Sequence, residues 1–467
     1  MMRKAIAVAG GLVLAVAVGG LGLDAYADRQ LKQALDAWRA DLPQGTELSY
    51  GRIEADGRDG AVLHAVRFKT DRTPEPVSVR ARRLSLEQVA FDGDLLETVG
   101  RFAFEGAVVE SRGSTLSVAS GQGREVALTD DYRIGSLGQA QLSGLDAEDA
   151  SGTSSAERVR LRDLGEGRLR HLEIQALAIA QRADGGGETA PVRRVLVDRL
   201  RVRDADVDDL RRLNAQTDDP DPAQIVAALR GDGIGAVELD GMAVIEQGRR
   251  IAALEALQLS LEAPRDGAIT FDLSYTGGYA DATHPRAGYP FLAALGYQEL
   301  RGDGGLSLSY HPEAGRFAIE TLEMDLSEVA RLSLSGRVVG IPAVGELADQ
   351  LQRDPQAVQG QAALDRLRLR LENRGVASRL VEMRAQQTGQ SPETVRRNQA
   401  EMIRQTAQQM QLAELGEPIA TFVEQAGTLT LTAEPQQPVT FQEIRQLGMG
   451  APQQLRQTLN LRATRSD

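Results

Sequence analysis

Beyond Pro43 the apolar residues of this chain recur with a period of two. Leu367, Leu369 and Leu371 alternate with Arg366, Arg368 and Arg370, and Leu306, Leu308 and Tyr310 alternate with Ser307 and Ser309. Phe271, Leu273 and Tyr275 flank Asp272 and Ser274, and Leu429 and Leu431 alternate with Thr428, Thr430 and Thr432. Successive side chains of a strand point to opposite faces, so such runs predict strands with one buried and one wet face, paired antiparallel. Phe91-Asp92-Gly93-Asp94, Tyr310 to Gly315 and Ala263 to Gly267 carry turn residues between candidate strands and read as hairpin connections. Roughly fifteen to eighteen candidate strands are more than a flat open sheet holds without curling or splitting. The expected fold is mainly β (α+β), a large twisted and curled antiparallel sheet with peripheral helices.

Helical patterns interrupt the strands. Residues 206–230 and 344–358 read as amphipathic helices, and Arg374 to Gln411 is the clearest helical region. Within it Gly389 ends one helix, and Ser391-Pro392-Glu393 supplies an N-cap, a first-turn proline and a first-turn acid for the next. Ile419 to Gln425 and Phe441 to Leu447 add short helices around a strand from Leu429 to Ala433. Tyr279 to Tyr289 reads as a long loop. Runs beginning at Arg82-Arg83, Arg158, Arg193-Arg194 and Arg249-Arg250 recur too unevenly for a strict solenoid and read as one strand-turn-strand device reused. The chain divides into an anchor (1–27), a stalk (28–43), an N-terminal β-rich region (44–190), a central β-rich region with a helical insertion (191–340) and a C-terminal α+β region (341–467).

The first 42 residues set the expected location. Arg3 and Lys4 precede nineteen uncharged residues, Ala5 to Leu23, including Leu12, Leu14, Val16 and Leu21. Nineteen helical residues cover about 28 Å, enough to cross a bilayer core. The basic tip keeps the N-terminus cytoplasmic and the bulk of the chain across the membrane, a single-pass signal-anchor. Ala25-Tyr26-Ala27 before Asp28 also fits a signal-peptidase site, and that alternative reading would release the chain. Leu31, Leu35, Trp38 and Leu42 fall at helical spacing, reading either as an interfacial stalk or as a helix packed on the following domain.

Composition removes several function classes. The net charge of −13 argues against nucleic acid, whose binding draws on basic side chains against phosphate. Without cysteine the chain has neither disulfides nor a lipoprotein anchor. His64, His171, His284 and His311 are too dispersed for a zinc or copper site, and three lysines, Lys4, Lys32 and Lys69, offer no Ser-x-x-Lys dyad. Gly231 to Gly235 has the helix-to-strand order opposite to a phosphate loop and reads as a helix cap and turn. Asp204-x-Asp206-x-Asp208 fails the calcium-loop pattern at Asp209 and Ala215 and reads as an acidic helix N-terminus. No catalytic, cofactor or metal residue is assigned, and no enzymatic activity is expected. The strand arginines read as solubilising and edge-protecting.

The basic tip, single apolar helix, amphipathic stalk and strand-rich ectodomain together resemble Gram-negative inner-membrane proteins of the AsmA-like and YdgA-like kind. Leu332-Ser333-Leu334-Ser335-Gly336-Arg337-Val338 resembles their sheet repeats, and Leu369 to Ala377 followed by Gly389 to Glu393 is similar to the strand-then-helix end of the YdgA-like kind. The resemblance implies a bacterial inner-membrane protein with its bulk in the periplasm, serving cell-envelope maintenance. Its sheet would hold phospholipid acyl chains in an apolar groove of Leu, Val and Ala. The alternative is a scaffold or chaperone-like partner of other envelope proteins acting through sheet edges or helix faces.

Overall fold

The structure, a computed structural model, describes residues 45–55, 60–70, 76–92, 95–111, 113–128, 134–182, 192–206, 234–262, 267–285, 289–342 and 360–466. The chain is mainly antiparallel β, with twenty strands and six helices among the described residues. The anchor, the Ala25/Ala27 site, the stalk and the expected helices at 206–230 and 344–358 lie outside the described residues. Among the described residues no helix is long and apolar enough to cross a membrane. Contacts divide the chain into two units, meeting in sequence at Arg249/Arg250.

The first unit is a meander. Its long strands are β3 (Gly60–Thr70), β4 (Val77–Asp92), β5 (Leu95–Ser111), β6 (Ser114–Leu128), β7 (Ile134–Asp149), β8 (Gly152–Gly165), β9 (Arg168–Arg182), β10 (Val192–Asp206) and β11 (Ile234–Glu246). Each pairs with the next, while the short β1 (Thr46–Ser49) and β2 (Arg52–Ala55) share the outer edge of β3.

Period two does not hold along these strands. In β5 the inward residues are Val99, Phe102, Phe104, Ala107 and Val109, spaced three, two, three and two. The same spacing gives Leu137, Ala140, Leu142 and Leu145 in β7, and Leu169, Leu172, Ile174 and Leu177 in β9. Each three-residue step contains a position that makes no ladder pair. Gly100 faces Glu125 between the pairs Val99↔Val126 and Arg101↔Arg124, and Gly106 faces Ala119 between Glu105↔Ser120 and Ala107↔Val118. The two skipped positions are six apart in strand after strand: Arg82 and Gln88, Gly100 and Gly106, Ala119 and Glu125, Gly138 and Gly144, Asp198 and Asp204. The second of each two has positive φ, as at Gln88 (54°), Gly106 (60°), Glu125 (58°), Gly144 (61°), Asp163 (55°) and Asp204 (52°).

The skipped positions therefore line up into two kink lines that cross the meander and divide it into three panels. Because each kink restores the inward face after one extra residue, all three panels send their apolar residues to one contiguous core. Val109, Val118 and Leu145 come from the first panel, Leu84, Phe104 and Leu161 from the second, and Val99, Leu137 and Ala205 from the third. Among the described residues of this unit, a single sheet folded along two lines thus encloses a core made of strand residues alone. Packing is close where small residues lie under rings: a Cβ on Gly121 would sit 2.2 Å from the Phe104 ring and 2.8 Å from a Leu142 methyl.

The second unit continues with β12 (Arg249–Glu262), β13 (Ile269–Asp281), β14 (Glu299–His311), β15 (Arg316–Leu326), β16 (Ala330–Val339) and β17 (Ala363–Asn373). Next come β18 (Thr428–Ala433) and β19 (Val439–Thr440), both paired to β17, and β20 (Arg462–Ser466), paired to β18. Helix α1 (Pro290–Ala294) precedes β14. After β17 come α2 (Val376–Thr388), α3 (Pro392–Gln409) and α4 (Ala413–Gln425), then α5 (Phe441–Gly450) and α6 (Pro452–Thr458). The local signals act as their chemistry requires: Gly389 closes α2 with φ 68°, and the Ser391 side chain accepts from the Thr394 N–H. Helix α4 starts at Ala413 rather than Ile419, because Gly416 lets it approach Ala407 of α3 so closely that a Cβ there would lie 2.2 Å away. Arg404 of α3 then clamps Glu417 and Glu424 of α4 with four hydrogen bonds of 2.9, 3.0, 3.0 and 3.2 Å.

Several expectations are corrected. Tyr279 to Asp281 belong to β13, so the loop towards Tyr289 is shorter than expected. Asp204 and Asp206 lie in β10, Gly235 lies in β11, and His311 ends β14 rather than sitting in a loop. The true recurrence is the kinked strand, not an arginine-led pair of strands. Arginine marked only some copies, so the spacing looked irregular.

Two outcomes test this packing. Gly121→Val drives two methyls into the Phe104 ring and is expected to cost about 1–3 kcal/mol by overpacking, read by urea unfolding of the first unit. The Arg404 hydrogen bonds hold the Glu417 and Glu424 carboxyls below their usual value of 4.5. A carboxyl with a lowered folded pKa contributes stability above its unfolded value that is lost as pH falls through the folded one. Melting of the native chain should therefore fall more steeply below about pH 4.5 than that of Arg404→Gln. Identical acid limbs would contradict the clamp.

Candidate functional site

The second unit carries a surface feature built by regular side-chain placement. Antiparallel register brings one leucine of each successive strand into a row across seven strands. Leu259 faces Leu273, which faces Leu306, and then Leu322, Leu334, Leu369 and Leu431 follow in turn. At about 4.8 Å per strand the row is roughly 29 Å long. A second row runs beside it through Leu261, Phe271, Leu308, Ile319, Gly336 and Leu367, and a third through Leu257, Tyr275, Gly304, Met324, Leu332 and Leu371.

This ladder is half open. All seven leucines of the central row are half-buried, and Met324 is 38 % exposed. By contrast, Leu63, Leu84 and Leu86 inside the first unit are 1, 1 and 0 % exposed. Both rest on alternating strands, yet one apolar face is closed by folding and the other is not. The pairings β13/β14, β14/β15, β15/β16 and β16/β17 each carry a register shift, yet the rows stay continuous, because the shifts fall between rows or beyond them.

Helices stand along both sides of the rows, at the two ends of the strands. On one side Leu292 and Leu295 of the α1 region and Val376, Leu380 and Met383 of α2 pack on Leu300, Leu326, Val329 and Ala330. Tyr297 fixes that rim: its hydroxyl donates to the Glu328 carbonyl at 2.9 Å, and the Arg379 guanidinium lies 3.9 Å from its ring centre. On the other side Ile444 of α5 and Leu455 of α6 pack on Leu364, Leu367 and Ala433. The ladder is thus a floor with helical walls. The walls carry exposed apolar side chains, Phe291 (55 %) on α1 and Phe441 (39 %) and Met449 (78 %) on α5.

The floor has one polar handle. The Tyr275 ring covers Gly304, where a Cβ would come within 2.4 Å of it, and burial, Tyr289 and Asp303 push its phenol above the usual value. It therefore stays a neutral donor. Chemically the arrangement offers dispersion and burial to an elongated apolar molecule and little else. Among the described residues no group of histidines and carboxylates is placed to hold a metal ion.

The polar face of the first unit is self-neutralising. Arg158, Arg160 and Arg162 of β8, and Arg199, Arg201 and Arg203 of β10, point outward from the middle panel. Arg160 and Arg199 pair with Glu173 at 3.5 and 3.6 Å, Arg201 and Arg203 pair with Glu238, and Arg199 also meets Asp240 at 3.7 Å. A hydrogen bond from Gln175, then Arg160 and Arg201, holds the Glu173 carboxyl below its usual value against partial burial. His64 meets Glu54 at 3.4 Å and His171 meets Asp163 at 4.0 Å, contacts of surface side chains.

The anchor residues Arg3 to Leu23, the Ala25/Ala27 site and the stalk residues Leu31, Leu35, Trp38 and Leu42 lie outside the described residues, so the described site contains none of them. The ladder residues are legible in sequence only as alternating runs within single strands. Their alignment into rows needed the register, for which the near-equal strand lengths and short β14/β15 turn were the available signal.

Openness has a measurable consequence. Leu86→Ala, in the closed core, should cost about 3 kcal/mol or more, whereas Leu306→Ala, partly exposed already, should cost about half as much. Urea unfolding, each variant read in the transition of its own unit, checks the ratio. Equal costs would mean that the ladder is as enclosed as the core. Among known proteins, a family model described only as an uncharacterized protein matches residues 323–466, the stretch from the end of β15 through β20. No curated protein matches the chain.

Proposed function

We propose that this chain is a single-pass protein of the bacterial inner membrane, anchored by residues 5–23, whose second unit holds lipid acyl chains along the leucine ladder on the periplasmic side. The observation that carries the reading is the three-row apolar floor, half open over roughly 29 Å and bounded by helices with exposed Phe291, Phe441 and Met449. Burial contributes about 0.8 kcal/mol per CH2, so six methylenes laid on this floor would supply about 5 kcal/mol. Arg3, Lys4 and the nineteen uncharged residues that follow support the anchor. No catalytic step is assigned.

The scaffold reading, strand addition at a sheet edge, has less support. The outer strand β20 is five residues long and carries Arg462 and Arg465, and β1 and β2 are four residues each. Short, charged edge strands are what sheets use to discourage added strands.

The test uses the full chain in phosphatidylcholine nanodiscs containing a phospholipid with a photoactivatable acyl chain. Cross-links are expected on peptides from β13, β14 and β16 as well as on the anchor. In the double variant Leu306→Asp, Leu334→Asp the β-strand cross-links should drop at least tenfold while the anchor cross-links persist. Cross-links confined to residues 5–23 would refute the reading.

A further inference from the structure

The polar face of the second unit carries a second feature, on the side of the sheet opposite the ladder. Arg366, Arg368 and Arg370 of β17 alternate with Leu367, Leu369 and Leu371, and all three arginines are exposed. Along a strand, alternate residues stand about 6.7 Å apart, so three guanidinium groups form a short positive row.

Two comparisons within the molecule separate this row from ordinary surface charge. The arginine rows of β8 and β10 lie beside acids and make ion pairs with Glu173, Glu238 and Asp240. The row of β17 lies instead between hydroxyls. Ser335 and Thr432 flank Arg368, Ser333 and Thr430 flank Arg370, and Arg337 stands directly across from Arg366. The nearby acids are already engaged: Asp365 pairs with Arg337 at 3.4 Å and Glu372 with Arg374 at 3.0 Å. Among the described residues no carboxylate pairs with Arg366, Arg368 or Arg370.

Edge protection does not account for the row either, because β17 is an interior strand paired to β16 on one side and to β18 and β19 on the other. Asp365 neutralises Arg337, which stands across from Arg366, but it leaves the charges of Arg366, Arg368 and Arg370, spaced along one face, without a carboxylate partner among the described residues. Guanidinium groups match tetrahedral oxyanions through paired N–H donors, and serine and threonine hydroxyls add neutral donors.

We infer that the arginine row of β17, with its hydroxyl flanks, binds phosphate groups. The recognising chemistry is the same for a soluble polyphosphate and for a phosphodiester lipid headgroup. The site is independent of the acyl reading, since it lies on the other face and uses none of the ladder side chains.

The full chain in phosphatidylcholine nanodiscs is titrated with inorganic tripolyphosphate by calorimetry. In a second arm its retention on phosphatidylglycerol vesicles is compared with that on phosphatidylcholine vesicles. Binding in either arm should weaken at least tenfold in the triple variant Arg366→Gln, Arg368→Gln, Arg370→Gln, with circular dichroism and acyl cross-linking unchanged. The arm that responds identifies the source. If the triple variant does not fold, Arg368→Gln alone is read by the same titrations, with a smaller loss of affinity expected. No binding by the native chain in either arm, or equal binding by native and variant chains, overturns the inference. Loss of acyl cross-linking with phosphate binding intact would instead count against the ladder reading alone.

Discussion

The first unit depends on one backbone requirement. A flat strand shows alternate faces, so a sheet that buries one face against its own strands, as the described residues do here, has to bend around it. Here the strands from β4 to β11 bend twice and β3 bends once, and each bend inserts one residue without a ladder partner. Without that extra residue the inward face would swing outward beyond the bend. Left-handed φ at the second bend costs roughly 1–2 kcal/mol where the residue is not glycine, as at Gln88, Glu125 and Ala176. The cost is borne because Val99, Phe102, Phe104 and Ala107, and their counterparts in neighbouring strands, then reach one core.

The second unit shows what the same alternation does without two continuous kink lines. Its leucines form equally regular rows, but their partners in enclosure are helices at the two ends of the strands rather than further panels. A half-open apolar floor and a polar face with unneutralised arginines are the two results. Both are properties of register. Single strands with alternating Leu and Arg exist in either unit, and the neighbour across the ladder decides whether an arginine meets Glu173 or Thr432.

What the sequence made legible was local. The Ser391-Pro392-Glu393 cap, the Gly389 stop and the strand from Leu429 to Ala433 depend on a few adjacent residues, and each stands where the chemistry puts it. The kinks were present in the letters as Val99-x-x-Phe102-x-Phe104-x-x-Ala107, but a search for period two treats each three-residue step as an interruption. Residue type did not help, since the left-handed positions include glutamine, glutamate, aspartate and alanine as well as glycine. The candidate floor was hidden for a different reason. Leu306 and Leu334 look alike in sequence, and nothing within either strand says that Leu322 stands between them.

The kink lines also free the tips of the strands. In an ordinary hairpin the turn fixes the register, so a change in turn length shifts every pair. Here the three-two-three spacing reads the same in both directions, and two antiparallel neighbours match only when both lines coincide. The turn between β5 and β6 is two residues, whereas residues 207–233 separate β10 from β11, and Arg203↔Ala236 and Ala205↔Ile234 still place Asp204 opposite Gly235. The body of the sheet acts as the ruler. Whole segments can be inserted, lengthened or replaced at the tips without disturbing the frame, which makes those ends the places where chains of this architecture can diverge most freely.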